Sequence, residues 1–271
     1  MLTHPTGEGL LALNLTSMAE GLAEQRGNPD YEALGFEERL GLLVDRELLA
    51  RENRRMTRNL KAAKLKMPAV IEDIDFRRPR GLNRAQVLSL TDAHFVEHHQ
   101  AILVVGPTGV GKTYLACAFA HAAIRHGHTA FYIRAPRMLD ELAIARADGR
   151  LARLMASWAR VGVLAIDDFL LRRLHPEQAA DVLEVIEDRA GLRATIVTSQ
   201  LPIEHWHESL GDATIADAVL DRLLERAHRI ELHGESLRRS SADDNTITPP
   251  EDGKSRRTSA RKRPMTARHP L

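Results

Sequence analysis

The fold of this chain is decided by eight residues, Gly106-Pro107-Thr108-Gly109-Val110-Gly111-Lys112-Thr113, which fit the phosphate-binding pattern G-x-x-x-x-G-K-[ST]. The apolar run 101–105 before them predicts a buried strand, and good helix formers follow from Tyr114. Glycines let the backbone fold around an anion, and the free N–H groups of the helix start point at it. Lys112 is predicted to reach the β- and γ-phosphates and Thr113 to hold Mg²⁺. The stretch therefore predicts a P-loop, whose ligand is a nucleoside triphosphate.

Two adjacent acids follow a second apolar run. Residues 161–166 predict another buried strand, and Asp167 and Asp168 stand at its end. Carboxylates at the tip of an apolar strand are costly unless they face a cation or the open edge of a sheet. In P-loop enzymes an aspartate at this place completes the Mg²⁺ shell. We therefore predict that Asp167 holds Mg²⁺ together with Thr113, and that Asp168 polarises the attacking water.

Strands and helices alternate from residue 68 to about residue 239, which predicts an α/β core with a parallel sheet covered on both faces. The predicted strands are 101–105, 130–133, 163–166, 195–198 and 229–232. Residues 1–67 are predicted to be helical, and Ser17 followed by Glu20 forms a capping-box pattern there. Residues 240–271 are poor in apolar side chains and predict a disordered basic tail.

The carboxyl ends of the strands point to further residues. Ligands of open α/β sheets lie beyond these ends, so Thr198 and Ser199 are candidates for contact with the γ-phosphate or its water. Capping of the next helix is an equally supported alternative for these hydroxyls. Arg222 stands just before the last predicted strand, where it is placed to reach a neighbouring subunit and stabilise the transferring phosphoryl group. A surface ion pair with Asp221 or Glu225 is the competing interpretation.

A predicted helix from about residue 36 to residue 65 carries a basic face. Its basic residues are spaced three and four apart and therefore share one side of the helix: Arg51, Arg54, Arg55, Arg58 and Lys61. Between residues 51 and 66 there are seven basic residues and one acid, Glu52. Such a face repels itself unless a polyanion meets it. A solvated helix face is the alternative, and we predict contact with nucleic acid.

Composition narrows the class of protein. The 271 residues carry a net charge of only +1 and a single cysteine, Cys117, so an internal disulfide is excluded and a reducing cytoplasm is predicted. Cys117 is expected to be buried beneath the P-loop helix. No stretch approaches the roughly 20 apolar residues of a membrane span, so no membrane contact is expected.

Several stretches are more specific than the P-loop. They read Thr-Ser-Gln-Leu-Pro at 198–202, His-Trp-His-Glu at 205–208 and Gly-Glu-Ser-Leu-Arg-Arg at 234–239. Further matching stretches are 53–55, 65–69, 71–76, 79–82, 221–223 and 228–232. With these residues, the sequence from about residue 11 to residue 239 resembles the IstB-like ATP-binding helper proteins of insertion-sequence transposases, close to the helicase-loader branch of the AAA+ ATPases.

The resemblance implies an AAA+ core, a three-layer sandwich with strand order 5-1-4-3-2. It also implies Mg²⁺-dependent hydrolysis of ATP, a homo-oligomer that assembles on duplex DNA, and stimulation of the transposase of the same insertion element. Carried over by residue, it implies Walker A residues Lys112 and Thr113, Walker B residues Asp167 and Asp168, sensor 1 Thr198, arginine finger Arg222 and second-sensor candidate Arg238. One departure follows Asp168, where this chain reads Phe-Leu-Leu-Arg-Arg at 169–173 and the family often has a glycine. The resemblance does not extend to residues 240–271.

Two other functions remain open from the sequence. A helicase loader would share the core and differ in its partner, which the N-terminal helices would grip. A small-molecule kinase would share the P-loop but need an acceptor pocket and a closing lid. The adjacent acids, the late arginine and the basic N-terminal helix favour an assembling ATPase over a kinase.

Overall fold

A five-stranded parallel sheet forms the centre of the chain in the computed structural model, which describes residues 4–237. Its strands are β1 (Ala101–Val105), β2 (Ala130–Arg134), β3 (Val163–Phe169), β4 (Ala194–Ser199) and β5 (His228–Glu231). The order across the sheet is β2-β3-β4-β1-β5, and each neighbouring pair is parallel. Counted from the other edge this is 5-1-4-3-2, so the predicted topology is confirmed.

Eleven α-helices lie within residues 4–237. They are α1 (Pro5–Ala12), α2 (Thr16–Gly27), α3 (Phe36–Ala63), α4 (Arg84–Ser89), α5 (His94–Glu97), α6 (Lys112–Arg125), α7 (Ala135–Ala147), α8 (Leu151–Arg160), α9 (Pro176–Glu187), α10 (Trp206–Leu210) and α11 (Ala213–Leu224). Single 3₁₀ turns occur at Pro29–Tyr31, Ile71–Asp73 and Ile203–His205. The long helix α3 ends two residues earlier than predicted, because Lys64 adopts a left-handed conformation with φ of 51°.

Each face of the sheet carries its own apolar core, because successive side chains of a strand point to opposite faces. On β1, Ile102 and Val104 pack on the face covered by α6, while Leu103 packs on the face covered by α7, α9 and α11. Cys117 of α6 is fully buried in the first core, as predicted, and burial raises the pKa of its thiol. The chain is therefore a three-layer α/β sandwich.

Helix α3 connects the N-terminal helices to this sandwich. Its second half is held against the turn between α6 and β2, where the buried Asn59 donates from Nδ2 to the carbonyl oxygen of His128 at 3.2 Å. Its first half packs closely against α2, because a Cβ on Gly21 of α2 would stand only 2.9 Å from a methyl carbon of Leu43 on α3. The basic face of α3 thus lies on an element that is fixed to the core.

The start of α2 shows that the predicted capping box at Ser17 and Glu20 is wrong. The N-cap residue is Leu15, which makes no side-chain capping bond. The backbone N–H groups of Ser17 and Met18, which lack partners within the helix, donate instead to Oε2 of Glu47 on α3, at 3.0 and 3.2 Å. A carboxylate 30 residues away has replaced the local cap.

No helix within residues 4–237 combines the length and the apolar character that a membrane crossing requires. Arg238 and the predicted tail 240–271 lie outside the described residues.

Candidate nucleotide site

The loop between β1 and α6 has the geometry of a phosphate cradle. Its three glycines have positive φ angles of 148° at Gly106, 88° at Gly109 and 106° at Gly111, a region that L side chains rarely adopt. Space also requires glycine, because a Cβ on Gly109 would stand 2.0 Å from Oγ of Ser236 and one on Gly106 2.3 Å from the carbonyl oxygen of Leu232. Helix α6 begins directly after Gly111, so its free N–H groups face the loop.

Lys112, the first residue of α6, places its charge inside this loop. The residue is buried, and Nζ donates to the carbonyl oxygens of Gly106 and Pro107, both at 2.7 Å. Thr113 follows on the same turn and turns its hydroxyl to β3, where Oγ1 lies 3.0 Å from both carboxylate oxygens of Asp167. The glycine loop, the lysine and the aspartate that the sequence predicted are therefore adjacent in space.

Asp167 is the most enclosed carboxylate of this site, with 0% exposure. Besides Thr113, its oxygens accept from Oγ1 of Thr198 at 2.5 Å and from the hydroxyl of Tyr132 at 2.6 Å. The ammonium of Lys66 stands 3.9 Å away, at the outer limit of an ion pair. Three hydroxyl donors and a distant cation keep this buried charge hydrogen-bonded, as a buried carboxylate requires.

Asp168 faces away from that cluster. It has a φ of 59°, and β3 shifts register against β4 between Ile166 and Phe169. Its carboxylate accepts from Nε of Arg134 at 2.9 Å, and only 16% of its side chain is exposed. The two adjacent acids are thus turned to different partners, one inside the cluster of hydroxyls and one beside an arginine at the end of β2.

Thr198 bridges both acids. Its hydroxyl donates to Asp167 and accepts from the backbone N–H of Asp168 at 3.2 Å. Ser199 has a different task, because its Oγ donates to the carbonyl of Phe169 at 2.7 Å and accepts from the N–H of Leu201. The sequence predicted the same role for both hydroxyls, but their contacts differ. The hydroxyl of Thr198 belongs to the site, whereas that of Ser199 stabilises the turn after β4.

The donor set fits a hard divalent cation. The hydroxyl of Thr113 and the carboxylate of Asp167 are oxygen ligands 3.0 Å apart beside the phosphate cradle, and Mg²⁺ binds through a few such oxygens together with water and phosphates.

Arg222 lies at the other end of the sheet from its own P-loop. At the end of α11 it donates to the carbonyl oxygen of Ala218 at 3.0 Å and to Glu187 at 2.7 Å, so neither Asp221 nor Glu225 is its partner. It lines a cavity of about 420 Å³ together with Ala101 and Thr195. Ala101 is the first residue of β1 and Thr195 the second residue of β4. The P-loop follows the opposite end of β1.

The five basic residues of α3 are all exposed, but they are not equally engaged. Arg51 and Arg54 both donate to Oε1 of Glu47 at 2.9 Å, which corrects the expectation that Glu52 alone offsets this face. Arg55 lies against the turn after α6, with its guanidinium 2.7 Å from the position of a Cβ on Gly127. Hydrogen bonding by Arg51 lowers the pKa of Glu47, so this carboxylate stays charged.

Sequence reasoning missed four residues of the site: Lys66, Arg134, Tyr132 and Gln200. Gln200 follows β4 and accepts from the P-loop hydroxyl of Thr108 at 2.6 Å. Tyr132 and Arg134 are two residues apart on β2 and so share a face, next to β3 with its acids. Once β2 is known to neighbour β3, this spacing predicts that polar side chains of β2 reach Asp167 and Asp168.

A glycine loop between a strand and a helix, a lysine and threonine at the helix start, and an aspartate at the end of β3 define a P-loop NTPase with the AAA+ strand order. The chain belongs to the IstB-like ATP-binding protein family, whose model matches residues 9–244. The resemblance found in the sequence is thereby confirmed.

Relatives agree with this membership. The chain is 46% identical over 240 residues to the insertion sequence ATP-binding protein y4pL of Sinorhizobium fredii, covering 89% of this chain and 98% of the relative. It is 46% identical over 203 residues to an insertion sequence IS1162 ATP-binding protein of Pseudomonas fluorescens, covering 74% and 88%. A crystal structure of the DnaC helicase loader has a TM-score of 0.50 at 20% identity, covering 65% of this chain and 98% of that chain. This last likeness shows the fold alone.

Proposed function

We propose that this chain is a Mg²⁺-dependent ATPase that assembles on duplex DNA and stimulates the transposase of its insertion element. The contact of Thr113 and Thr198 with the buried Asp167, directly beside the P-loop, is the observation that carries the ATPase. The role in transposition is supported by the 46% identity to an insertion sequence ATP-binding protein over 89% of this chain.

The P-loop residues bind and orient the triphosphate in this proposal. The backbone N–H groups at the start of α6 hold phosphate oxygens, and the ammonium of Lys112 moves from two carbonyl oxygens to the β- and γ-phosphates. A bound Mg²⁺ would supply positive charge that offsets the negative charge of the triphosphate. Thr113 and Asp167 are the residues that would hold it.

Asp168 orients and polarises the attacking water, because a carboxylate at this point can accept its proton. Arg134 fixes that carboxylate at 2.9 Å. Thr198 keeps the backbone at Asp168 in place through the bond to its N–H. Asp167 and Asp168 thus divide two tasks between adjacent positions, one holding the cation and one acting on water.

Arg222 serves a neighbouring copy of the chain rather than its own nucleotide. It lies by the amino ends of the strands, whereas the P-loop follows a carboxyl end, and the five residues of β1 separate the two by about 16 Å at the usual rise of a strand. An arginine supplied across a subunit boundary stabilises charge on the transferring phosphoryl group. Hydrolysis then requires assembly into a homo-oligomer.

Residues 1–67 form the DNA- and partner-binding region in this proposal, and residues 68–239 the ATPase core. Contact with duplex DNA uses the exposed basic face of α3. Because Arg51 and Arg54 share the carboxylate of Glu47, their net contribution is smaller than two full charges. Arg58 and Lys61 continue the face along the second half of α3. Phosphates are the target, since such a face holds no side chain other than arginine that could discriminate bases.

A helicase loader is the second candidate. The likeness to the DnaC helicase loader concerns the fold of the core and does not favour this function over transposition. Co-purification with a transposase or with a replicative helicase decides between them.

The ATPase proposal is tested by Lys112→Ala. We expect nucleotide binding or turnover to be lost while the circular dichroism spectrum is kept, because Lys112 stabilises phosphate charge and contributes no apolar packing. Arg160→Ala, at the exposed end of α8, is the matched control and should bind nucleotide like the unaltered chain. Near-normal turnover by Lys112→Ala would refute the assignment of the P-loop.

A further inference from the structure

Arg80 reaches the P-loop from the segment that precedes the core. Its Nη1 donates to the carbonyl oxygen of Val110 at 3.1 Å, and its Nη2 donates to that of Asp75, also at 3.1 Å. The same Nη1 lies 2.8 Å from the position that a Cβ on Gly111 would take. The guanidinium therefore touches the two loop residues that directly precede the first turn of α6.

The charge of Arg80 is buried without a carboxylate in direct contact. The residue is only 8% exposed, and within residues 4–237 it forms no ion pair with a carboxylate. The carboxylate of Asp75 is engaged elsewhere, by Nε of Arg78 at 3.5 Å and by the N–H of Arg77 at 2.9 Å. Burial lowers the pKa of Arg80 and outweighs the attraction of the more distant Asp75 carboxylate.

One donor of Arg80 is also unused. Nε of Arg80 is the only buried side-chain nitrogen or oxygen in the described part of the chain that lacks a hydrogen-bond partner. Buried donors are almost always paired, because an unpaired one loses its bonds to water without replacement.

Arg189 shows what a structural arginine looks like in the same molecule. It is 1% exposed, and burial lowers its pKa to about 9. All three of its nitrogens are satisfied: Nε by Thr195 at 3.1 Å, Nη1 by Trp158 and Val161, and Nη2 by the carbonyl of Ala194. Arg80 differs from it in the unused donor and in its place against the phosphate cradle.

We propose that Arg80 is a second cation of the nucleotide site, and that it binds a phosphate oxygen of a nucleoside polyphosphate held by the P-loop. Such an anion supplies both an acceptor for Nε and a negative charge in direct contact, and guanidinium groups form strong charge-assisted bonds to phosphate. The proposal rests on the proposed function, because it requires a nucleotide in this loop.

Arg80→Met tests the contact by equilibrium binding of ADP. The Kd should rise about tenfold or more, as expected for losing a hydrogen bond to a charged group. Arg80→Lys keeps the positive charge but loses the planar guanidinium group. Its Kd for ADP should lie between that of the unaltered chain and that of Arg80→Met. Arg77→Met changes an exposed arginine of the same segment and should leave the Kd unchanged. An ADP affinity of Arg80→Met within twofold of the unaltered chain would overturn the proposal.

The intact chain provides a second measurement that does not depend on how the variants fold. The ¹⁵N resonance of the Arg80 Nε–H, assigned by its absence in Arg80→Lys, should shift on addition of ADP and its exchange with water should slow. A changed Kd in Arg80→Met without any change of this resonance would overturn the proposal, because Arg80 would then only shape the loop. If Lys112→Ala keeps near-normal ATP turnover, the proposed function has failed. If Lys112→Ala loses turnover while Arg80→Met binds ADP like the unaltered chain, only the role of Arg80 has failed.

Discussion

Removing the hydroxyl of Tyr132 should weaken the fold and the cation site together. Tyr132 is 8% exposed, and its hydroxyl donates to the buried Asp167 at 2.6 Å. A hydrogen bond to a charged group contributes about 1.5–3 kcal/mol, so Tyr132→Phe should lower the free energy of unfolding by this amount. The loss also leaves Asp167 with one donor fewer, so more Mg²⁺ should be needed for half-maximal ATP turnover.

Tyr114→Phe is the matched control. Its hydroxyl has only neutral partners, since it donates to the carbonyl oxygen of Val70 at 3.0 Å and accepts a longer bond from the N–H of Val70 at 3.4 Å. A neutral bond is worth about 0.5–1.5 kcal/mol, so this variant should lose less stability. Its Mg²⁺ requirement should not change. Urea denaturation and turnover at graded Mg²⁺ measure both quantities, and equal losses in the two variants would refute the reasoning about Asp167.

The pH dependence of the stability of Tyr132→Phe is an independent test. Burial, and then the bond to Asp167, raises the pKa of Tyr132. The folded chain therefore keeps this proton above about pH 10, where a tyrosine of the unfolded chain has lost it. The contribution of Tyr132 to the free energy of unfolding is therefore complete below about pH 10. Above about pH 10 it declines by up to about 1.4 kcal/mol per pH unit. The stability difference between the unaltered chain and Tyr132→Phe should shrink accordingly, and a difference that stays constant up to about pH 11 would contradict this sign.

The remaining predictions concern the acids, the arginine and the basic face. Asp168→Asn should bind ATP and hydrolyse it slowly, whereas Asp167→Asn should weaken the Mg²⁺ dependence; identical titrations and rates would exclude the division of roles. Arg222→Ala should keep nucleotide affinity and lose turnover by about 10³-fold, as arginine fingers in trans do. Mixing it with Lys112→Ala should restore some activity, and absence of rescue at every ratio would place Arg222 within its own subunit or outside catalysis. Replacing Arg54, Arg55 and Arg58 together by Ala should weaken binding to all duplexes alike and flatten the plot of log affinity against log salt, by roughly 0.9 for each phosphate that is no longer neutralised. Unchanged affinity and slope would move the DNA contact away from α3.

The sequence predicted the parts of this protein that local pattern determines. The strand 101–105, the glycine loop and the start of α6 are contiguous, so a single motif specifies them. The other strand positions agree within a few residues, because apolar runs bounded by polar residues mark buried strands well. The strand order required more than local pattern, and it came from the resemblance to a family.

The residues that the sequence did not reveal are those fixed by contacts between distant segments. Glu47 caps α2 from 30 residues away and offsets Arg51 and Arg54, although neither local spacing nor the charge count of 51–66 pointed to it. Tyr132 reaches Asp167 only because β2 pairs with β3. The unused Nε of Arg80 follows from side-chain packing and has no signature in the sequence.

The central claim, an ATPase that works on DNA, is tested most directly by the rate of phosphate release from ATP at increasing concentrations of duplex DNA. We predict a rate that rises with DNA and saturates and that is lost in Lys112→Ala, with ADP and inorganic phosphate as the products and no other molecule phosphorylated. A rate independent of duplex DNA at every concentration would contradict the claim.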